Sequence, residues 1–314
     1  MTACIEPPLG SGSRPALVFV NPTAGRRRTY SYLPGIRDLF QSLDFSAQFV
    51  ETGSASELES AARQAAKENH RILLAMGGDG TFQALANGVF GSDVIIGILP
   101  TGGGNDFAAA LGLSGGPFRS LEKVLKSKPR FVDLVRARAA DGRARLYAGG
   151  GGIGLDAEAV LLASGAYRKL PGRLRYIASA LQALSKHQPL TIRLEFADKG
   201  LVPVEAKCLL TAVLNTPTYG GGVHLSPEAM LDDAWLHVIS IEDLSVLEVL
   251  KLLPRLIRSG ELRTSKVQRW KVKSVKISAD RAALFHGDGE IIGPAPVEVE
   301  IVPNAVRVLA PAKA

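Results

Sequence analysis

Six residues, Met76-Gly77-Gly78-Asp79-Gly80-Thr81, constrain this chain more than any other stretch. They follow Arg71–Met76, whose apolar run reads as a buried strand. Beyond them Phe82, Leu85, Ala86 and Val89 recur at the spacing of one helix face. Glycines between a strand and a helix N-terminus let backbone N–H groups face an anion, and the helix dipole favours it. Such a loop is a phosphate cradle, but here a carboxylate stands in its middle. An acid among phosphates works through a bound cation or holds an acceptor hydroxyl, so the loop points to a kinase. It has neither the lysine of a P-loop nor the spacing of a dinucleotide fingerprint. The missing positive charge would come from Arg26, Arg27 or Arg28, or from bound Mg²⁺.

The first ~130 residues alternate strand and helix signals. Ala16–Val20, Phe45–Glu51, Ile72–Met76 and Val94–Leu99 read as strands, and Leu33–Leu43 and Ala55–Glu68 as helices. This order predicts a mainly parallel sheet with helices on both faces, and ligands in such sheets sit at the carboxyl ends of strands. Asn21–Arg28, Gly77–Thr81 and Pro100–Asp106 all follow strands, which predicts one shared site. After Asp133 the segments become short and β-rich: Val132–Ala139, Arg145–Gly149, Leu190–Phe196, Val202–Ala206, Cys208–Leu214, Trp235–Ile241, Val272–Ile277 and Val297–Val302. They predict a mostly antiparallel second domain, interrupted by helical stretches at Ala157–His187 and Leu244–Ser259.

Composition narrows the class. With 314 residues, 46% hydrophobic and 21% charged, the chain is well cored, and no apolar run is long enough to span a bilayer. The N-terminus has no basic segment followed by an apolar one, which predicts a cytoplasmic protein. Cys4 and Cys208 are too few and too far apart for a disulfide framework and read as reduced thiols. The net charge of +7 is uneven: Ala159–Leu194 holds no acid, and Lys251–Lys276 sets nine Lys or Arg against Glu261 alone. Such patches attract anionic surfaces or phosphorylated ligands. Nucleic acid is not expected, because no helix-turn-helix, zinc-finger or RNA-binding aromatic pattern accompanies the charge. The Leu244–Arg258 stretch reads as a core-facing amphipathic helix or one lying on a membrane.

Other clusters carry potential chemistry. Leu99-Pro100-Thr101-Gly102-Gly103-Gly104-Asn105-Asp106 is a second glycine-rich turn at a strand end, whose Asn105 and Asp106 could equally cap the helix after it. Tyr219-Gly220-Gly221-Gly222 precedes Leu231-Asp232-Asp233, acids able to meet a hard cation or simply solvated in a turn. Gly287-Asp288-Gly289-Glu290 sets two carboxylates on a bent backbone, where one can act as base and one as metal contact; Asp-Gly is also a common hairpin turn.

In this order the motifs resemble the diacylglycerol kinase catalytic-domain superfamily, in particular its bacterial soluble lipid kinases. The similarity runs from Val20 to about Val302 and rests on Asn21-Pro22, Gly77–Thr81, Leu99–Ala108, Gly154 with Asp156, Tyr219–Gly222 and Asp288-Gly289-Glu290. The resemblance implies an α/β fold plus a mainly β one. Its N-terminal parallel-sheet nucleotide domain (1–133) would be like those of phosphofructokinases and NAD kinases, and would be rejoined by 303–314. A β-sandwich-like lipid domain (134–302) would complete it. ATP would lie along Asn21, Thr52, Gly77, Gly78, Asp79, Gly80, Thr81, Phe82, Gln83 and Gly103, with Asp79 organising phosphates and Mg²⁺. Glu290 matches the proposed proton acceptor, with Asp288 beside it, so Glu290, Asp288 and Asp79 are the implied catalytic residues. A structural Mg²⁺ maps onto Asp233 with the carbonyls of Met230 and Trp235. The implied reaction moves the γ-phosphoryl of ATP to a lipid hydroxyl, by an enzyme that visits the inner surface of the membrane. Exposed sheet edges would permit a homodimer.

Two positions depart from the pattern. Gly103 stands where a threonine is usual, removing one phosphate-contacting hydroxyl, and Ala234 stands where a glycine usually follows the metal-site aspartate. A kinase for a soluble acceptor, as among NAD kinases, and a nucleotide-binding regulator without turnover are the alternatives.

Overall fold

The computed structural model describes residues 15–22, 24, 28–167, 170, 172–249, 251 and 265–312. The chain opens with β1 (Ala16–Val20), α1 (Arg28–Ser42), β2 (Ala47–Glu51), α2 (Ala55–Lys67), β3 (Ile72–Gly77), α3 (Asp79–Val89) and β4 (Ile95–Pro100). Strands β2, β1, β3 and β4 lie side by side and parallel. Every residue of β1, β3 and β4 is buried, as expected of a sheet covered on both faces. Helix α2 starts with a reciprocal cap: the Glu57 N–H donates to Ser54 Oγ, and the Gly53 N–H donates to Glu57 Oε2. Its Leu58, Ala62 and Ala65 form the buried stripe. Gly88 lets α3 approach closely, since a Cβ there would stand 2.6 Å from the Glu59 carbonyl.

Two short helices follow, α4 (Asp106–Ala110) and α5 (Pro117–Lys126), before the β-rich half begins with β5 (Pro129–Arg138), β6 (Ala144–Tyr147) and β7 (Gly150–Gly154). Helices α6 (Leu155–Ser164) and α7 (Gly172–Lys186) interrupt it. The remaining strands are β8 (Leu190–Phe196), β9 (Val204–Leu214), the small pair β10 (Thr218–Tyr219) and β11 (Val223–His224), β12 (Leu236–Glu242), β13 (Val267–Val272), β14 (Ser274–Ala279), β15 (Leu284–Gly287), β16 (Glu290–Pro294) and β17 (Val297–Leu309). Pairing in this half is antiparallel, along β16-β15-β7-β9-β8-β14-β17, with β12 and β13 branching from β9 and β5 and β6 branching from β17.

Strand β17 belongs to both halves. Val297–Glu300 pairs antiparallel with β14, and after a bulge between Val302 and Val306 the same strand runs parallel to β4 through Arg307 and Val308. The bulge holds Asn304 at φ +51°. One apolar core fills the N-terminal half and two smaller ones the β-rich half.

The α/β-then-β architecture matches the sequence pattern, with differences in detail. Helix α1 begins at Arg28 rather than Leu33, enclosing Pro34, a residue that favours a first helical turn. Ala157–His187 is two helices, because α6 stops at Gly165. Val202–Ala206 and Cys208–Leu214 form the single strand β9, while Val272–Ile277 divides between β13 and β14. The glycine run before α6 is itself a strand, β7, paired on both sides. Most of Leu244–Ser259 lies outside the described residues, as do Arg26, Arg27 and Cys4.

Candidate active site

Three loops meet at the carboxyl ends of β1, β3 and β4. The Asn21 N–H donates to the Met76 carbonyl, and Asn21 Nδ2 donates to Thr81 Oγ1 at 3.1 Å. From the third loop the Thr101 N–H donates to the Gly77 carbonyl. Thr52 sits buried beside β1, its N–H on the Val20 carbonyl. Gly77 has to be glycine, because a Cβ there would lie 2.2 Å from Thr81 Oγ1. Gly78 and Gly102 touch backbone to backbone: a Cβ on Gly102 would be 2.6 Å from the Gly78 Cα.

Asp79 opens α3, a helix whose N-terminus no side chain caps. Its carboxylate instead accepts the N–H groups of Asp106 and Phe107, each at 3.2 Å, and so ties the two glycine-rich turns together. Phe82 stacks on Phe107 with centroids 4.1 Å apart, and Gln83 Nε2 donates to the Leu146 carbonyl. The side chains of Phe82 and Gln83 are therefore packing elements, leaving only their main chain for a nucleotide. Gly80 borders open space, and Gly103 is exposed. The buried Thr101 hydroxyl does not replace the missing one at 103, since it is 2.9 Å from Thr29 Oγ1.

The β-rich half contributes from the far side. Asp288 stands at φ +49° in the turn between β15 and β16 and accepts N–H bonds from Ala148, Gly149 and Gly150 at 2.7–3.0 Å. The Gly221 N–H, in the Tyr219–Gly222 turn, donates to Asp106 Oδ2 at 2.7 Å. Three carboxylates from distant parts of the chain thus share one cleft. Burial, then the charges of Asp288 and Asp106, push Asp79 up to about 7 against its two N–H bonds. Burial likewise pushes Asp288 up to about 6, opposed by its three N–H bonds and His286.

Glu290 does not join this trio in the contacts it makes. It is 48% exposed, and its Oε2 lies 3.5 Å from Arg145 Nε, while Arg145 Nη1 holds Glu59 of α2. Glu290 lines a cleft of about 450 Å³ with Ala55, Ser56, Glu59 and Arg145. Arg145 was not singled out by the sequence, because its partner lies 145 positions away.

The cleft fits a magnesium-bound phosphate. Mg²⁺ prefers one or two carboxylates with substrate phosphates and water over an all-protein cage, and its oxygen donors are present here in excess. Gly104 keeps the opening wide: a Cβ there would stand 3.4 Å from Asp79 Oδ2 and 3.5 Å from the Gly221 Cα. Among the described residues no group of three His, Cys, Asp or Glu side chains could hold a metal by itself.

The second implied cation site does not fit one. Asp233 Oδ2 is 2.8 Å from Lys271 Nζ, and the Ala234 carbonyl accepts from Lys273 Nζ. Met230 is exposed, and the Trp235 ring lies under Lys273 Nζ at 3.8 Å. A divalent ion at Asp233, Met230 and Trp235 would have to displace or adjoin two ammonium groups.

Comparison with known proteins identifies the family and the fold. Residues 15–137 match the diacylglycerol kinase catalytic domain, and residues 151–310, half of the chain, match the YegS C-terminal NAD kinase beta sandwich-like domain. The chain belongs to the diacylglycerol kinase family of lipid kinases. It is 28% identical over 240 residues to a diacylglycerol kinase of Mycobacterium tuberculosis, covering 76% of each chain. It is 23% identical over 303 residues to one of Bacillus subtilis, covering 94% of this chain and 96% of that one. A crystal structure of a diacylglycerol kinase from Bacillus anthracis str. Sterne shares the fold with a TM-score of 0.70 at 17% identity, covering 95% and 97% of the two chains. This lipid kinase is thus a phosphotransferase acting on an alcohol acceptor.

Proposed function

We propose that this lipid kinase transfers the γ-phosphoryl group of Mg²⁺-bound ATP to the hydroxyl of a lipid such as diacylglycerol, at the inner surface of the membrane. The observation that carries this reading is the cleft itself: burial first, and then the charges of Asp288 and Asp106, push Asp79 up to about 7. A bound Mg²⁺ would be held by Asp79 together with phosphate oxygens and would neutralise phosphate charge.

The chain's own residues do the rest. Asn21, Thr52, the main chain of Gly77–Gln83 and Gly103 lie along the nucleotide side, where close glycine backbones admit phosphate oxygens. Glu290 accepts the proton of the lipid hydroxyl as its oxygen bonds to the γ-phosphorus and the bond to the β-phosphate oxygen breaks. Arg145 orients that carboxylate. Positioning and charge neutralisation supply most of the acceleration in phosphoryl transfer.

Membrane contact is assigned to the α6–α7 region. Leu161, Leu170, Leu174 and Leu181 are exposed there, within a stretch that has Arg and Lys but no acid. Exposed apolar side chains in a stretch of sequence rich in Lys and Arg suit an anionic lipid surface. Among the described residues no helix is long and apolar enough to cross a membrane.

The test is phosphate transfer from radiolabelled ATP with Mg²⁺ to a panel of hydroxyl lipids in mixed micelles, with NAD as a soluble acceptor and Glu290→Ala as control. Labelled lipid that vanishes with the variant is the expected result. Labelled NADP instead would assign a soluble acceptor, and ATP binding without any labelled product would assign a regulator.

A further inference from the structure

The turn 230–235 lies where the two halves of the chain cross. The Asp133 N–H donates to the Leu231 carbonyl, and the Asp133 carboxylate accepts the N–H groups of Ala234 and of Asn304 in the β17 bulge. One turn therefore ties together the middle of β5, the entry to β12 and the crossover of β17. Charge concentrates here, because Asp232 and Asp233 belong to the turn and Asp133 of β5 is bonded to it. Burial pushes the Asp133 carboxyl up, and the charges of Asp233 and Asp232 add to the rise.

Basic side chains answer that charge. Arg130 Nη1 is 3.0 Å from Asp232 Oδ2. In the β12–β13 ladder Lys271 stands directly opposite His237, so both side chains share the face on which Asp233 lies. Lys271 Nζ reaches Asp233 Oδ2 at 2.8 Å, and His237 Nε2 is 3.5 Å from the same oxygen. The Asp233 side chain is only 7% exposed, so its partner is a matter of folding rather than of surface decoration. Lys273, one residue past β13, caps the Ala234 carbonyl and stacks its ammonium on Trp235. Strand register places Lys271, and Lys273 follows it just past the ladder.

We propose that Lys271 and Lys273 are built-in counter-ions of this turn, so that the junction between the two halves holds together without a divalent ion. The ammonium groups engage Asp233 Oδ2 and the Ala234 carbonyl, and Asp233 Oδ1 accepts the Trp235 N–H, so both oxygens of the one buried carboxylate a cation would need are already engaged. The inference is independent of the acceptor and of the cleft chemistry, and its readouts are stability and fluorescence rather than turnover.

Nucleotide-free protein dialysed against EDTA is melted with and without millimolar Mg²⁺, while tryptophan emission, to which Trp235 contributes, is followed. The same measurement on Asp79→Asn protein separates any effect of the cleft. Asp79→Asn protein is expected to keep one melting temperature and one emission spectrum whatever the Mg²⁺, and any Mg²⁺ response of the wild type, which belongs to the cleft, is expected to vanish with the substitution. Lys271→Met is expected to melt lower by about 3 °C or more, because it takes the ammonium counter-charge from a buried carboxylate, while Lys271→Arg melts close to wild type. Asp79→Asn protein that loses stability in EDTA and regains it with Mg²⁺ would overturn the proposal, as would Lys271→Met melting like the wild type. Should Lys271→Met not fold, the EDTA comparison on the Asp79→Asn protein decides alone.

Discussion

Asp79, Asp106 and Asp288 crowd the ends of the parallel strands much as Asp133, Asp232 and Asp233 crowd the crossover turn, and the two groups are balanced in opposite ways. At the turn, Arg130 and Lys271 sit on two of the carboxylates and two backbone N–H groups on the third. In the cleft every hydrogen bond to the three acids that the structure shows comes from a backbone N–H, and the charges acting most on Asp79 are the other two aspartates. A neutral donor fixes a carboxylate in place without cancelling its charge. The turn is thus balanced within the fold, whereas the cleft is balanced only when something positive arrives. Clusters of the same residue type can be telling in one place and silent in another; what distinguishes them is the source of compensation.

That contrast can be broken in several ways. The largest effect is expected from Glu290→Gln, which should lower kcat by roughly 10²–10⁴-fold while leaving ATP affinity near wild type, since Glu290 stands outside the aspartate trio. Steady-state kinetics with varied ATP checks it; a collapse of ATP affinity with kcat preserved would erase the distinction between proton acceptor and phosphate site.

A middling effect should appear in the pH dependence of stability without ligand. Asp79 and Asp288 have folded values of about 7 and about 6, above the 3.8 of an unperturbed carboxyl. Between those limits the native protein holds protons that the unfolded chain has lost. The stability these two groups contribute is therefore fully present below about pH 4 and is lost as pH rises toward 7, with Asp133 adding a slope of the same sign. Urea melts across this range should show Asp79→Asn flattening the fall by about 1–3 kcal/mol. A slope unchanged by the substitution would mean that the cleft is compensated after all.

The smallest expected effect belongs to the turn. Ala234 sits at φ +58°, the left-handed region that costs a residue with a Cβ about 1 kcal/mol. Ala234→Gly should stabilise by up to about 1 kcal/mol, less the chain entropy that glycine gains on unfolding, as read from the urea midpoint. A loss of stability would show that the turn is not strained there.

What could be read from the sequence was local. The strand, glycine turn and helix around Asp79 lie within about twenty residues, and the parallel half follows from repeats of that pattern. The β7 segment was legible only as a glycine run, because its strand character comes from β9 and β15; a Cβ on Gly151 would meet the His286 carbonyl at 2.3 Å. The same reason hid the anchoring of Asp288 by Ala148, Gly149 and Gly150, and of Glu290 by Arg145. Asp233 looked like a metal ligand because nothing near it in sequence revealed Lys271, which a ladder through His237 brings across. Which groups compensate a charge is a property of strand register, and register between distant strands is not written in any short window.

The most direct test of this contrast is the Mg²⁺ dependence of ATP binding, measured by calorimetry on wild-type, Asp79→Asn and Asp233→Asn proteins. In the wild type and in Asp233→Asn, Mg²⁺ is expected to tighten ATP binding alike, whereas Asp79→Asn should lose that tightening. Loss of the Mg²⁺ effect in Asp233→Asn with its retention in Asp79→Asn would contradict the assignment and move the cation from the cleft to the turn.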